Sequence, residues 1–217
     1  GFLRPPETGT YRIGINGPNA ELTLDGRVRA QHRQKPWGTR SEMATVVLEK
    51  EHRYPLRVTT DALLLAGVEV LWKRISTQPE ADLTAAAAQA DVIVAAVGLN
   101  SELEGEEMKV ELEGFSGGDK TSIDLPADQR RLLEQAKATG KPLVVVLMNG
   151  STLDLSWAKE HASAIIEAWY PGQAGGLAVG NVIAGKANPA GRLPLTFYRD
   201  VAELPPFEDY SMRGRTY

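Results

Sequence analysis

Residues 91–120 read "DVIVAAVGLNSELEGEEMKVELEGFSGGDK". The run Val92–Leu99 is almost wholly apolar, as in a strand buried inside a sheet. Six glutamates and one lysine follow between Ser101 and Glu113, with no aspartate. Gly117 and Gly118 then close the stretch with residues suited to a tight turn. A buried strand that opens into crowded carboxylates marks a place for chemistry, because ligands of open α/β sheets gather at the carboxyl ends of strands.

Downstream, the same texture continues. "ADQRRLLEQAKATG", 127–140, has the pattern of a helix, with Asp128 near its positive end and Gly140 as its C-cap. "KPLVVVLMNG" at 141–150 reads as a fully buried strand, "LSWAKEHAS" at 155–163 as a short helix, and "AIIEAWYPG" at 164–172 as another strand. "QAGGLAVGNVIAG", 173–185, is a helix of small residues, and "GRLPLTFY", 191–198, a last extended piece. The pattern predicts strands near 92–97, 143–148 and 164–169, and helices near 127–139 and 173–184. Alternating strands and helices imply an α/β sandwich with a mostly parallel sheet.

Upstream, the texture differs. "TYRIGI", "AELTLDG", "MATVVLE", "RYPLRVTT" and "VEVLWKR" are short runs rich in Val, Ile, Leu, Thr and Tyr. Asn16-Gly17-Pro18, Asp25-Gly26 and Gly67 separate them, and "LTLDGRVRA" reads as a hairpin with Asp25-Gly26 at its tip. Residues 1–74 are therefore expected to form an antiparallel β module, a partial barrel, almost without helix. The segment "ISTQPEAD", 75–82, marks the change, with Pro79 and Glu80 at a helix start. The expected domains are 1–74 and 75–217.

The chain of 217 residues can bury a real core. Its net charge of −4 does not suggest a nucleic-acid or anionic-membrane partner. It has no cysteine, so disulfide and thiolate chemistry are excluded. Its longest apolar runs are too short to span a bilayer. The opening "GFLRPPETG" and the end at Tyr217 both read as cuts in a longer protein.

Three segments are expected at the carboxyl ends of strands: the acidic loop after Leu99, "NGST" after Met148, and "YPGQAGG" after Trp169. The last lacks G-x-G-x-x-G and the Walker lysine, so a nucleotide site has little support. "GFSGG", 114–118, formally matches G-x-S-x-G, but a nucleophile elbow needs a strand before Ser116 and a helix after it. His161 would be its base, and nothing recommends that arrangement. His32, His52 and His161 lack metal-ligand spacing, so no metal is expected. The glutamates remain. Crowded carboxylates raise one another's pKa, and a carboxyl that keeps its proton near neutral pH suits general acid catalysis. A solvated acidic loop would have the same composition.

These residues resemble the C-terminal α/β-sandwich domain of glycoside hydrolase family 3, which includes β-glucosidases and β-xylosidases. The resemblance rests on "DVIVAAVGLNSELEGEEM", "GGDKTSIDLPADQRRLLEQA", "TGKPLVVVLMNGS", "AIIEAWYPGQAGGLAVGNVIAGKANPAGRLPLTFY" and "LPPFEDYSMRGRTY", in family order over nearly all of 80–217. "GFLRPPETGTYRIGI", "LTLDG" and "YPLRVTT" resemble, less strongly, the last strands of a protective-antigen-type β-barrel module. The resemblance implies that the general acid/base is a glutamate of the acidic loop. The matching position is Glu104, with Glu106 and Glu107 as rivals. Where relatives have Asp-Arg, this chain departs with Asp119-Lys120, and lysine lacks arginine's bidentate fork. The nucleophile, an aspartate, would lie in an N-terminal (β/α)8 barrel that nothing in this chain resembles.

The expected function is the C-terminal part of a retaining exo-β-glycosidase, with no cofactor, a β-linked glycoside as substrate and the barrel as partner domain. The resemblance implies a periplasmic or secreted location. Two other readings stand beside it: a non-catalytic carbohydrate-binding scaffold, and a doubly wound nucleotide-binding protein.

Overall fold

The computed structural model describes residues 1–17, 19–32, 43–61, 67–100, 103–104 and 112–213. The chain divides into two compact units, 1–82 and 83–217.

In the first unit the short apolar runs become strands. They are β1 (Phe2–Leu3), β2 (Gly9–Asn16), β3 (Ala20–Leu24), β4 (Arg27–His32), β5 (Met43–Leu48), β6 (Tyr54–Thr59) and β7 (Glu69–Ile75). They build one sheet of order β1-β6-β3-β4 and another of order β5-β2-β7. Every pairing is antiparallel. Alternate side chains turn inward: Tyr11, Ile13 and Ile15 from β2, and Ala20, Leu22 and Leu24 from β3, share one core with Ala30, Val46 and Leu48. Both residues of the Asp25-Gly26 tip adopt positive φ, 51° and 71°, as a primed hairpin turn requires. No helix lies among the described residues before Pro79, as expected.

The second unit alternates helix and strand. After α1 (Pro79–Ala88) come β8 (Ile93–Gly98), β9 (Phe115–Ser116), β10 (Asp119–Lys120), α2 (Ala127–Ala138), β11 (Leu143–Met148), α3 (Ser156–His161), β12 (Ala164–Glu167) and α4 (Gly175–Ile183). The main sheet has order β12-β11-β8 and is parallel throughout. The central strand β11 is buried on both faces: Leu143, Val145 and Leu147 on one, Val146 on the other. That explains its unbroken apolar sequence. Helix α2 lays Leu133 and Ala136, three residues apart, on the core made by Ala95, Val97, Leu143, Val145 and Leu147. The piece "GRLPLTFY", expected to be extended, forms no strand and bends at Pro194 and Leu195. Pro194 cannot donate to a ladder, and Phe197 packs on the core instead.

Because β8, β11 and β12 run parallel, their carboxyl ends lie along one edge of the sheet. The described residues of the strand-end segments singled out in the sequence therefore meet there.

Candidate active site

The acidic loop leaves β8 through a tightly built exit. Gly98 has φ 135°, and a Cβ there would lie 1.8 Å from Met148 O, so the approach of β8 to β11 admits only glycine. Gln129 from α2 accepts the Gly98 N–H at 2.7 Å and donates to Gly98 O at 2.8 Å. One side chain thus satisfies both backbone groups at this point of the strand, as a further strand would. Beyond it, the Glu104 N–H donates to Asn100 O at 3.1 Å, and Leu103 packs on the core. The turn brings Glu104 back over the sheet edge.

Donors from three segments reach the Glu104 carboxylate. The Ser151 hydroxyl, after β11, donates to Oε1. The Tyr170 hydroxyl, after β12, donates to Oε2. The Gly150 N–H points at Oε2 from 3.4 Å, a long contact. Lys120 Nζ stands 3.8 Å from Oε1, with both side chains about 15% exposed (14% and 15%). Lys120 also donates to Thr152 O. The "NGST" segment therefore offers a donor, a second donor and an anchoring carbonyl in consecutive residues. Gly150 has no room for a side chain: a Cβ would come within 2.7 Å of the Tyr170 ring and 3.4 Å of Glu104 Oε2.

The glycine pair of the opening stretch now has a role. Gly117 and Gly118, with φ 63° and 92°, form the tip of the β9–β10 hairpin. That hairpin carries Lys120 to the carboxylate. Ser116 lies in a two-residue strand that turns back directly into a second strand rather than into a helix, so "GFSGG" is not a nucleophile elbow.

The electrostatics differ from the sequence expectation. Burial, the largest single influence on Glu104, pushes its carboxyl up. Hydrogen bonds from Ser151 and Tyr170, the Lys120 charge and the Gly150 N–H together more than offset it, and the pKa falls below the usual carboxylate value. Mutual repulsion of carboxylates predicted a rise. The described groups that touch Glu104 are donors and one cation, so the sign reverses. Lys120 is pushed down by its own burial, partly restored by Glu104. Tyr170 is pushed up, first by burial and then by the Glu104 carboxylate that holds its proton.

A second carboxyl lies behind this cradle. Glu167, the last residue of β12, accepts the Trp169 N–H on Oε1 at 3.0 Å. Burial pushes its pKa up, and the Trp169 N–H and the Asn149 amide offset only part of that. Trp169 has φ 54°, a left-handed conformation that disfavours a side chain by roughly 1–2 kcal/mol. This kink ends β12 two residues before the predicted strand end and turns Tyr170 towards Glu104.

Of the sequence candidates, the structure brings Glu104 to the sheet edge. Glu106 and Glu107 lie outside the described residues. Ser151, Tyr170, Asn149, Gln129 and Glu167 were not singled out individually, although the strand-end rule marked the segments of the first three. No group of three or more His, Asp or Glu among the described residues could hold a metal ion.

The family model described as "Glycosyl hydrolase family 3 C-terminal domain" matches residues 5–217. The chain belongs to that family. It is 36% identical to a xylan 1,4-beta-xylosidase of Xylanibacter ruminicola over 215 residues, covering 97% of this chain and 25% of the relative. It is 43% identical to a periplasmic beta-glucosidase of Salmonella typhimurium over 132 residues, covering 61% of this chain and 16% of the relative. The chain thus spans a quarter or less of these relatives. A beta-glucosidase of Kluyveromyces marxianus, crystallised with glucose, matches the whole chain with TM-score 0.70 at 24% identity, which establishes the shared fold; 26% of that chain is covered. A beta-glucosidase of Listeria innocua with gluconolactone matches 61% of this chain and 17% of its own, with TM-score 0.52 and 28% identity. Family 3 membership supersedes the doubly wound nucleotide-binding reading.

Proposed function

We propose that this chain is the C-terminal part of a retaining exo-β-glycosidase acting on β-glucosides or β-xylosides, with Glu104 as its general acid/base. The observation that carries the reading is Glu104 itself: one half-buried carboxyl at the carboxyl edge of a parallel sheet, met by donors from three separate segments. A solvated acidic loop would not need such a cradle. The names of the β-xylosidase and β-glucosidase relatives support the substrate class.

In this mechanism a carboxylate from an N-terminal (β/α)8 barrel attacks the anomeric carbon. Glu104 gives its proton to the departing oxygen, and the glycosyl group passes to the nucleophile. Glu104, now ionised, takes a proton from water as that water releases the sugar. The Ser151, Tyr170 and Lys120 donors favour the ionised form and so suit the second half. The first half needs the proton. Burial already pushes that way.

The test is Glu104→Gln in the full-length enzyme. Activity on poor leaving groups should fall about 10²–10⁴-fold. Activated aryl glycosides should suffer less in their first step, and azide should restore turnover of their covalent intermediate. Glu106→Gln and Glu107→Gln should lack this pair of effects. Equal loss on all leaving groups without azide rescue removes Glu104 from the role. The present chain alone should not hydrolyse aryl β-glycosides, because the nucleophile of this mechanism lies outside it; robust turnover would overturn the mechanism.

A second reading, a carbohydrate-binding role for the β unit, has one observation in its favour. A hollow of about 360 Å³ is lined by Pro6, Glu7, Tyr11, Trp72, Lys73 and Arg74. Trp72 stacks on Tyr11 at 5.3 Å and remains 39% exposed. Such a platform between charged groups suits the apolar face of a sugar ring. Loss of oligosaccharide retention on Trp72→Ala would support it, and unchanged retention would exclude it.

A further inference from the structure

The mechanism above uses Glu104 and its donors but leaves Glu167 and Asn149 without a task. Both lie in the second unit, just behind the donors. Asn149 is wholly buried, and its Nδ2 donates to Ser151 O at 2.6 Å. It therefore sets the backbone of the residue whose hydroxyl reaches Glu104 Oε1. Glu167 accepts the N–H of Trp169, the left-handed residue that precedes Tyr170. It therefore sets the turn whose hydroxyl reaches Glu104 Oε2. The Asn149 amide lies beside the Glu167 carboxyl and eases its ionisation.

This arrangement is costly. Asn149 Oδ1 and Glu167 Oε2 are both buried with no hydrogen-bond partner among the described residues. An apolar pair could fill the same space without unpaired polar atoms. Packing alone therefore does not explain a carboxyl at the end of β12. An acceptor for the Trp169 N–H does.

We infer that Glu167 is a positioning residue for the acid/base, fixing through the Trp169 N–H the turn whose Tyr170 hydroxyl holds Glu104. The inference rests on the reading of Glu104 given under Proposed function. Glu167 itself touches no reacting atom. Its carboxyl oxygen, not its charge, does the positioning, because a backbone N–H needs only an acceptor. A glutamine in its place retains that acceptor. A methionine fills the volume and offers none.

The experiment compares Glu167→Gln and Glu167→Met in the full-length enzyme, on aryl β-glycosides of graded leaving-group ability. Glu167→Gln should stay within about threefold of the parent on every substrate. Glu167→Met should lose about 10–10²-fold in kcat on the poorest leaving groups, the scale expected for a misplaced catalytic group, with little change in KM. The loss should shrink as the leaving group improves. The alkaline limb of its pH profile should also move up, because Glu104 loses the Tyr170 donor that helps to hold its pKa down. The titratable groups facing Glu104 among the described residues are Lys120 and Tyr170, and neither is altered.

A cycle with Tyr170→Phe completes the test. In that background Glu167→Met should cost almost nothing more, since its effect passes through that hydroxyl. Should Glu167→Met not fold, Glu167→Asp withdraws the carboxyl by one methylene and is read in the same way. The inference is overturned if the loss is equal on all leaving groups, if the alkaline limb stays in place, or if Glu167→Gln is as impaired as Glu167→Met. Failure of azide to rescue Glu104→Gln would instead overturn the reading of Glu104. Rescue of Glu104→Gln beside a silent Glu167→Met would overturn only the role of Glu167.

Discussion

The two units bury their interiors by different rules. In the β unit, alternation along a strand decides what is inside: on β5, Val46 is 7% exposed and its neighbour Val47 is 72% exposed. In the α/β unit, neighbouring residues of β11 are both inside: Val145 is 0% and Val146 3% exposed. An antiparallel strand with one covered face has a wet side and a dry side, whereas a central parallel strand has none. The polar positions of the α/β unit are therefore pushed to the strand ends, and Glu104, Ser151 and Tyr170 meet at that edge. Chemistry collects where the sheet stops because nowhere along its centre can a polar group keep its partners.

The strongest test of this contrast is at the exit of β8. Gly98→Ala places a Cβ 1.8 Å from a carbonyl oxygen in a left-handed conformation. It should destabilise the α/β unit by about 4 kcal/mol, at the far end of single-substitution effects. Urea unfolding checks this, and a loss under about 1 kcal/mol would break the claim of a closed β8–β11 end.

Threonine substitutions sharpen the comparison. Val145→Thr and Val146→Thr should each cost about 1–3 kcal/mol by burying a hydroxyl. Val46→Thr should cost the same, while Val47→Thr should stay within about 0.5 kcal/mol, as an exposed change does. If Val146→Thr proves silent, β11 has an open face and the contrast fails.

The smallest effects are those of pH, and they run in opposite directions at the two carboxyls. Glu104 has a lowered folded pKa, so its contribution to stability is present above the ordinary carboxylate value and is lost as pH falls through the folded value. Glu104→Gln should be less stable than the parent near neutral pH, and the gap should close in acid. Glu167 has a raised folded pKa, so its contribution is full below the ordinary carboxylate value and is lost as pH rises through the folded value. Glu167→Gln should match the parent in acid and exceed it near neutral pH. Thermal melts across the acid range read both, and a common sign for the two variants would contradict the electrostatics of the cradle.

Much of the molecule was legible in the sequence. The strand runs, the helix at 127–138 and the Asp25-Gly26 turn follow from local period and turn chemistry, which act within a few residues of one another. The strand-end rule also brought "NGST" and "YPGQAGG" into one neighbourhood with the acidic loop. What it could not supply was the sign of the Glu104 shift, since composition records the other glutamates but not which groups turn towards the carboxyl.

The amino-acid sequence by itself determined the two textures, the parallel sheet and the segments that end on its edge, because hydrophobic period and glycine geometry are local properties. Only the tertiary structure decided that Lys120, Ser151 and Tyr170 converge on Glu104, and that Gln129 and Glu167 support the loops from behind. Those residues are separated by as many as 66 positions along the chain. Hydrogen bonds of that span depend on where three strands stop in space, and no short-range pattern encodes it.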